Sequence, residues 1–387
     1  MAQSFDVIVA GLGAMGSAAA FHLAARGRRV LGLDRFQPPH EQGSSHGLSR
    51  IIREAYFEHP LYVPLIQRAY DLWSQLEHKS GQSILTPTGG LMIGRPDGVL
   101  VEGAARSARE HRLAHRLLNA AELRRDFPMF APAADMGGVW EPRAGILCPE
   151  VAIRAHLAQA ARHGAELRFH EPVLHWATDG DGVRVVTAAG EYHAARLVLS
   201  AGAWLNSLLP AAPLPLKVER QVLYWFTPAT RTDEFAPGRC PISIWEFAPQ
   251  QFFYTFPDQG EGVKVALHHQ GEATAAETVR RDVDAAEVEH MRQLLRQFLP
   301  AADGPLRASA VCVYTNTPDE HFLLDQHPAH PSVFIASPCS GHGFKFSSAV
   351  GEIVADRLEG RPDRFDLSLF ARDRLDRPAG AAPAHAE

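Results

Sequence analysis

Three groups of residues in this chain have types and spacings that could do chemistry. The first is Gly11-Leu12-Gly13-Ala14-Met15-Gly16, a glycine turn between the β-rich apolar residues 5–10 and a run of small residues. In such a turn the first glycine closes the bend, the second lets backbone approach a pyrophosphate, and the third lets helix and strand pack closely. Free amides at the helix start then face the phosphates. Asp34 stands where the second strand should end, and a carboxylate there accepts from ribose hydroxyls. The whole context points to a dinucleotide and leaves FAD and NAD both open.

The second group is cationic. Ser49-Arg50-Ile51-Ile52-Arg53 reads as a helix start with Ser49 as N-cap, which would set Arg50 and Arg53 on one side. Ile51, Ile52, Ala55 and Tyr56 make the surroundings apolar, so the two arginines are expected to be partly buried and matched to an anion. Gly262-Val263-Lys264-Val265-Ala266-Leu267-His268 alternates with period two, so Lys264, Ala266 and His268 share a strand face. Lys264 and His268 should lie about 13 Å apart, with small Ala266 leaving room for a flat ring. Alternation places them together; an ordinary strand face would show the same pattern. The third group lies near the end: Cys312-Val313-Tyr314-Thr315, then Ser340-Gly341-His342-Gly343-Phe344-Lys345-Phe346. By itself Cys312 reads as a small buried apolar residue. Histidine is abundant, at 20 residues, but His327, His330, His268 and His269 lack metal-binding spacing, so no metal site is expected.

The elements that must position these groups alternate in character. Residues 5–10 and 30–34 read as strands flanking a helix that Gly27 ends, and 197–200 reads as another strand of the same parallel sheet. Residues 61–79 read as an amphipathic helix with Leu65, Ala69, Leu72, Trp73 and Leu76 on its core face; 151–164 and 348–360 also read as helices. Short β-patterned runs at 90–94, 221–226, 252–256 and 263–268 suggest a mixed or antiparallel sheet. The expected fold class is α/β, with two interleaved domains. A Rossmann-like nucleotide domain takes residues 1–84, 148–218 and 319–387, and a substrate domain takes 85–147 and 219–318.

A chain of 387 residues suits two domains and needs no disulfide staple. A net charge of −6 argues against nucleic acid as a partner. Nothing resembles a signal peptide, a membrane span or a peroxisomal address, so the cytoplasm is expected. Cys148, Cys240, Cys312 and Cys339 have no paired spacing and should be thiols there. Residues 377–387, rich in Ala and Pro, are expected to fray.

Over residues 5 to about 369 the sequence resembles the family of monomeric sarcosine oxidase and N-methyltryptophan oxidase. The matching motifs are the glycine turn, Gly43-Ser44-Ser45-His46-Gly47 with Ser49-Arg50-Ile51-Ile52-Arg53, Tyr254-Thr255-Phe256-Pro257, Lys264 with His268, Cys312-Val313-Tyr314-Thr315, Asp319-Glu320-His321-Phe322, and the stretch 340–346. The resemblance implies an FAD-dependent oxidase of N-methyl amino acids, with a hydride equivalent passing to flavin and oxygen reduced to hydrogen peroxide. It implies a covalent thioether from Cys312 to FAD. Arg53 and Lys345 would hold the substrate carboxylate, and Tyr254, Tyr314 and His268 would line the amine pocket. Lys264 would lie by the flavin edge where oxygen is reduced, with Arg50 as a further positive charge near the ring. Gly11, Gly13, Gly16, Asp34, Ser44, His46, Val173, Gly341, His342, Gly343 and Lys345 would complete the cofactor site. A monomer is expected, with an amino acid and oxygen as its only partners.

Ser45, Cys339 and Leu267 depart from the family pattern beside the ring or pocket, so the natural amine stays open. N-methyltryptophan and cyclic secondary amino acids such as pipecolate are alternatives. A flavin dehydrogenase serving a quinone or protein acceptor is another, and an NAD enzyme or non-catalytic nucleotide binder is a third.

Overall fold

The computed structural model describes residues 3–376. The tail from residue 377, read above as frayed, lies outside the described residues. Among the described residues the strands form sheets of eight, nine and three strands.

The eight-stranded sheet begins where the glycine turn predicts. Gln3–Ala10 runs parallel to Val30–Leu33 on one side and to Gly190–Leu199 on the other. His330–Ser337 adds a further parallel partner to Gly190–Leu199. These strands are apolar on both faces because both are covered: Val7, Val9 and Val30 pack under helices, and Ile8, Ala10, Leu31 and Leu33 pack under Val183, Val185, Leu205 and Leu208. Helix Ala14–Ala25 is buried nearly all round, and its small residues permit that. It packs against Ser347–Leu358 so closely that a Cβ at Gly351 would lie 2.6 Å from the carbonyl carbon of Ala18. Helix Tyr62–Ser80 buries the expected stripe of Leu65, Ala69, Leu72, Trp73 and Leu76 in the same core.

The nine-stranded sheet is mixed. Lys217–Phe226, Val263–His268, Gln251–Phe256 and Ile242–Ala248 run antiparallel in that spatial order. Ile242–Ala248 then pairs in parallel with Gly90–Gly94. Leu306–Asn316 pairs along the other edge of Lys217–Phe226, setting Cys312 opposite Gln221. Helix Ala285–Phe298 closes this sheet, capped at Asp284 by a reciprocal bond with Glu287.

The segment after Ser49 differs from its expected form. Arg50–Ile52 is a strand, antiparallel to Gly145–Leu147, with Leu85–Pro87 on the far side of that strand. Two adjacent β-branched isoleucines favour the pleat. The carbonyl of Ser49, which a helix would need for its first turn, instead accepts from Lys264 and Arg50. Long-range pairing has overridden the local capping signal.

Candidate active site

One elongated cavity runs between the two large sheets, with the glycine turn at one end and Arg53 and Lys345 at the other. At the turn, Gly11 has φ +93°, and a Cβ there would meet the Ser200 carbonyl oxygen at 2.6 Å. A Cβ on Gly16 would collide with the Gly11 carbonyl oxygen. Gly13 faces open space, with nothing within 4 Å of where a Cβ would stand. The first and third glycines are therefore demanded by packing, and the second clears the approach to the helix amides. Asp34 and Val173 line the same end. The Asp34 carboxylate accepts from the amides of Leu12 at 2.6 Å and Phe36 at 2.8 Å, while burial raises its pKa.

Midway, Ser44, Arg50 and Cys312 come together on the wall. The Ser44 hydroxyl donates to the Val313 carbonyl at 2.5 Å, and Arg50 Nη2 donates to the Ser44 carbonyl at 2.6 Å. The loop carrying Ser44 is thus sewn to the strand carrying Cys312. Burial pushes the Cys312 thiol up, opposed by the positive charges of Arg50, Lys264 and Arg281. Arg281 reaches in by donating to the Val311 carbonyl at 2.7 Å. His46 is buried just off the wall, its pKa pushed down to about 3 by burial and nearby cations. Its Nε2 has no hydrogen-bond partner among the described residues.

Lys264 is also off the wall. Its Nζ donates to the Gly47 carbonyl at 2.7 Å, the Ser49 carbonyl at 2.9 Å and the Ser49 hydroxyl at 3.0 Å. Burial and then Arg50 lower its pKa strongly. Three acceptors for three ammonium hydrogens work the other way and favour the charged form. Gly47 makes this possible: its φ of +93° turns the loop so that carbonyls on both sides of Leu48 face the lysine.

The far end combines cations with neutral rings. Arg53 is 1% exposed. Its Nη2 donates to both carboxylate oxygens of Glu58 at 2.7 Å, and Nη1 donates to the Ala55 carbonyl at 2.9 Å. Its Nε has no partner among the described residues. Lys345 donates to the His342 carbonyl at 2.8 Å and the Tyr56 hydroxyl at 3.4 Å. Burial and then Arg53 lower its pKa to about 7, against the pull of Glu58. Tyr254, Tyr314 and His268 complete the wall. His268 Nδ1 lies 3.3 Å from the Tyr314 hydroxyl. Burial, with His269 next, drives the His268 pKa well down, so the ring is neutral. Burial raises both tyrosines.

The stretch 340–346 bends back over the cavity. Gly341 has φ +75°, and a Cβ there would lie 2.5 Å from the Tyr314 ring. His342 is pushed down to about 3 by burial and accepts or donates at Tyr56 across 2.5 Å. Gly343 packs on the Pro338 carbonyl oxygen. Of the eighteen catalytic, substrate and cofactor residues expected above, fifteen line this one cavity, and Gly16, His46 and Lys264 do not.

Sequence reasoning missed Tyr56, Glu58, Glu141 and Arg281. Glu58 had a signal, since it is an acid five residues beyond Arg53 in an apolar run. Arg281 had none, because it comes from an irregular segment between two distant elements.

The arrangement fits an elongated dinucleotide with a flat ring. A glycine cradle with cleared space at one end has the shape to receive phosphates. Buried Trp204 Nε1 and Thr315 Oγ1, on residues lining the cavity, have no hydrogen-bond partner among the described residues, as polar atoms met by a bound ligand would. Among the described residues no group of His, Cys, Asp and Glu could hold a metal.

Comparison with known proteins agrees. The chain is 47% identical to monomeric sarcosine oxidase of Streptomyces avermitilis, with 99% of this chain and 100% of that one covered. It is 34% identical to N-methyl-L-tryptophan oxidase of Salmonella heidelberg, over 96% of this chain and all of that one. Among solved structures it superposes on the open form of NikD, described as an unusual amino acid oxidase, with a TM-score of 0.82 and 26% identity, covering 96% and 98% of the two chains. Residues 6–357 match the family model of FAD-dependent oxidoreductases named DAO. The chain is a member of this FAD-dependent oxidoreductase family.

Proposed function

We propose that the protein oxidises small N-methyl amino acids of the sarcosine type and passes the electrons to oxygen. The observation carrying this reading is the far end of the cavity, where a buried Arg53 with a free Nε and a buried Lys345 stand beside neutral tyrosine and histidine rings. Such a site takes a compact zwitterion by its carboxylate. The similarity to monomeric sarcosine oxidase at 47% identity supports the same class of substrate.

FAD, when bound, supplies a two-electron acceptor for a hydride equivalent from the amine carbon and returns those electrons to oxygen as hydrogen peroxide. The chain's own residues do the rest. Arg53 Nε and the third Lys345 hydrogen bond the carboxylate, each charge-assisted bond contributing about 1.5–3 kcal/mol. Holding that end aims the methyl group. The cations of Arg53 and Lys345 disfavour the substrate ammonium, and the uncharged His268 ring beside them leaves room for a neutral amine. Tyr254 and Tyr314 exclude water around the nitrogen. Arg50 and Lys264 supply positive charge on the other side, where negative charge develops as oxygen is reduced. Gly11, Gly13 and Asp34 hold the nucleotide, with Val173 beside it. Cys312 would tether the cofactor as a thioether, its thiolate favoured by Arg50, Lys264 and Arg281 against the cost of burial. The eight-stranded sheet then serves the nucleotide and the nine-stranded sheet serves the substrate, which supports the interleaved division at residues 84, 147, 218 and 318. A cytosolic monomer is the working form we favour. Its four cysteines are unpaired, and no described helix is long and apolar enough to cross a membrane.

The test is a panel of N-methyl and cyclic amino acids, read anaerobically as flavin bleaching and in air as peroxide. Sarcosine should bleach the flavin and release one peroxide per turnover. Faster turnover of N-methyltryptophan or pipecolate would move the substrate assignment. Bleaching with little peroxide in air points to a dehydrogenase, and no bleaching by any secondary amino acid removes the reading.

A further inference from the structure

Glu141 is a buried carboxylate that no step above uses. It ends the strand Gly137–Glu141, is 1% exposed and does not line the cavity. Its Oε1 accepts from the Glu54 amide at 2.6 Å and its Oε2 from the Ala55 amide at 2.7 Å. These amides follow the strand Arg50–Ile52, where the ladder has stopped, in a buried turn that would otherwise orphan them. The other end of the Ala55 residue is tied to Arg53, whose Nη1 donates to the Ala55 carbonyl at 2.9 Å. Glu141 and Arg53 therefore grip one turn from two sides. The same turn delivers Tyr56 and Phe57, whose rings lie 4.2 Å and 4.8 Å from the Arg53 guanidinium carbon.

We propose that Glu141 is a positioning residue for carboxylate recognition, acting through the 53–55 turn to fix the guanidinium of Arg53; this rests on the role given to Arg53 above. Two parallel N–H donors need two acceptor oxygens side by side. A carboxylate supplies both, whereas a glutamine amide turns a donor toward one of them. The charge also matters, because Glu141 adds to the field that keeps the buried Arg53 ionised. Burial pushes Glu141 up to about 7, with the two backbone bonds opposing it. A buried acid kept at that cost, with both oxygens committed to one turn, is a support for what the turn carries.

The test compares holoenzymes of wild type, Glu141→Gln, Arg53→Ala and the double variant. Sarcosine KM and kcat are measured, with acetate affinity from the flavin spectrum and turnover of a secondary amine that lacks a carboxylate. Glu141→Gln should raise KM and weaken acetate by roughly 10–100-fold, the scale of one charge-assisted hydrogen bond lost. kcat should change by less than a few-fold and the carboxylate-free amine should be unaffected. In the Arg53→Ala background the added Glu141→Gln should cost nothing further. An unchanged KM, or an equal loss with and without Arg53, overturns the proposal. Should the glutamine variant not fold, Glu141→Asp, one methylene short but charged, is read by the same two outcomes with a smaller shift. Failure of the underlying functional reading would appear separately, as wild type and Arg53→Ala binding acetate alike.

Discussion

Carboxylate binding by this site should weaken as pH rises, and Lys345 sets the size of the effect. Its pKa is lowered to about 7, chiefly by burial and then by Arg53. Above that pH the free enzyme carries a neutral amine at this position. A bound carboxylate restores the charged form through a bond of about 1.5–3 kcal/mol, which at about 1.36 kcal/mol per unit lifts the pKa by one to two units. By linkage, affinity is full below about pH 7 and falls by roughly 10- to 100-fold as pH passes through the free and then the bound pKa. His268 and His342 stay neutral over this range, and Tyr56, Tyr254 and Tyr314 stay protonated. Glu58 stays ionised. Glu141, near 7, titrates in the opposite sense by firming the Arg53 turn as pH rises. The assay is therefore a difference. Acetate, which has no amine to titrate, is followed by flavin absorbance in wild type and Lys345→Met from about pH 6 to 10. The variant should bind about 10–150-fold more weakly at the acid end, and the two curves should converge toward the alkaline end. Parallel curves would refute the argument, because the lysine charge would then contribute equally at every pH.

Other outcomes follow from the same geometry. Lys264→Met should slow reoxidation by oxygen by orders of magnitude more than reduction by the amine; equal slowing in stopped flow would contradict the role proposed for it in oxygen reduction. Cys312→Ser should yield protein that releases its flavin on acid precipitation, while wild-type flavin stays with the pellet; flavin retained in the variant would move the tether elsewhere, with Cys339 next to be examined. Acid should destabilise the fold partly through His156, which is 2% exposed beside Phe21 and Trp73. Burial lowers its pKa from 6.5 to about 3. The unfolded chain therefore binds the extra proton first, and stability is lost from about pH 6.5 downward, by roughly 3 kcal/mol at pH 4.5. His156→Phe should flatten the pH dependence of the denaturant midpoint by that order, and an unchanged slope would exonerate this histidine.

The glycine turn at one end of the cavity was legible in the amino-acid order because its determinants are local. Gly11, Gly13 and Gly16 act within one turn, and the positions of Gly11 and Gly16 prove to be demanded by contacts within or directly behind that turn. The core helix Tyr62–Ser80 and the strands at 90–94, 252–256 and 263–268 were legible for the same reason, since periodicity reports which face is buried. Period two also put Lys264 and His268 on one face, and the motif order tied both to the family. Arg50–Ile52 was misread because a helix cap and a strand end present the same Ser and polar neighbours. What decided the matter was Gly145–Leu147, nearly a hundred residues away, offering a ladder.

What only the folded chain decided is the electrical state of the site. Nothing in the order of residues says that Arg53 faces Glu58 yet keeps one donor free, or that three oxygens surround the Lys264 ammonium. Nor does it say that Glu141 underpins the turn between them. Those facts depend on which dipoles and charges end up within a few ångströms after water is removed. Desolvation and Coulomb energy depend on distance in space, and chain order does not encode that distance.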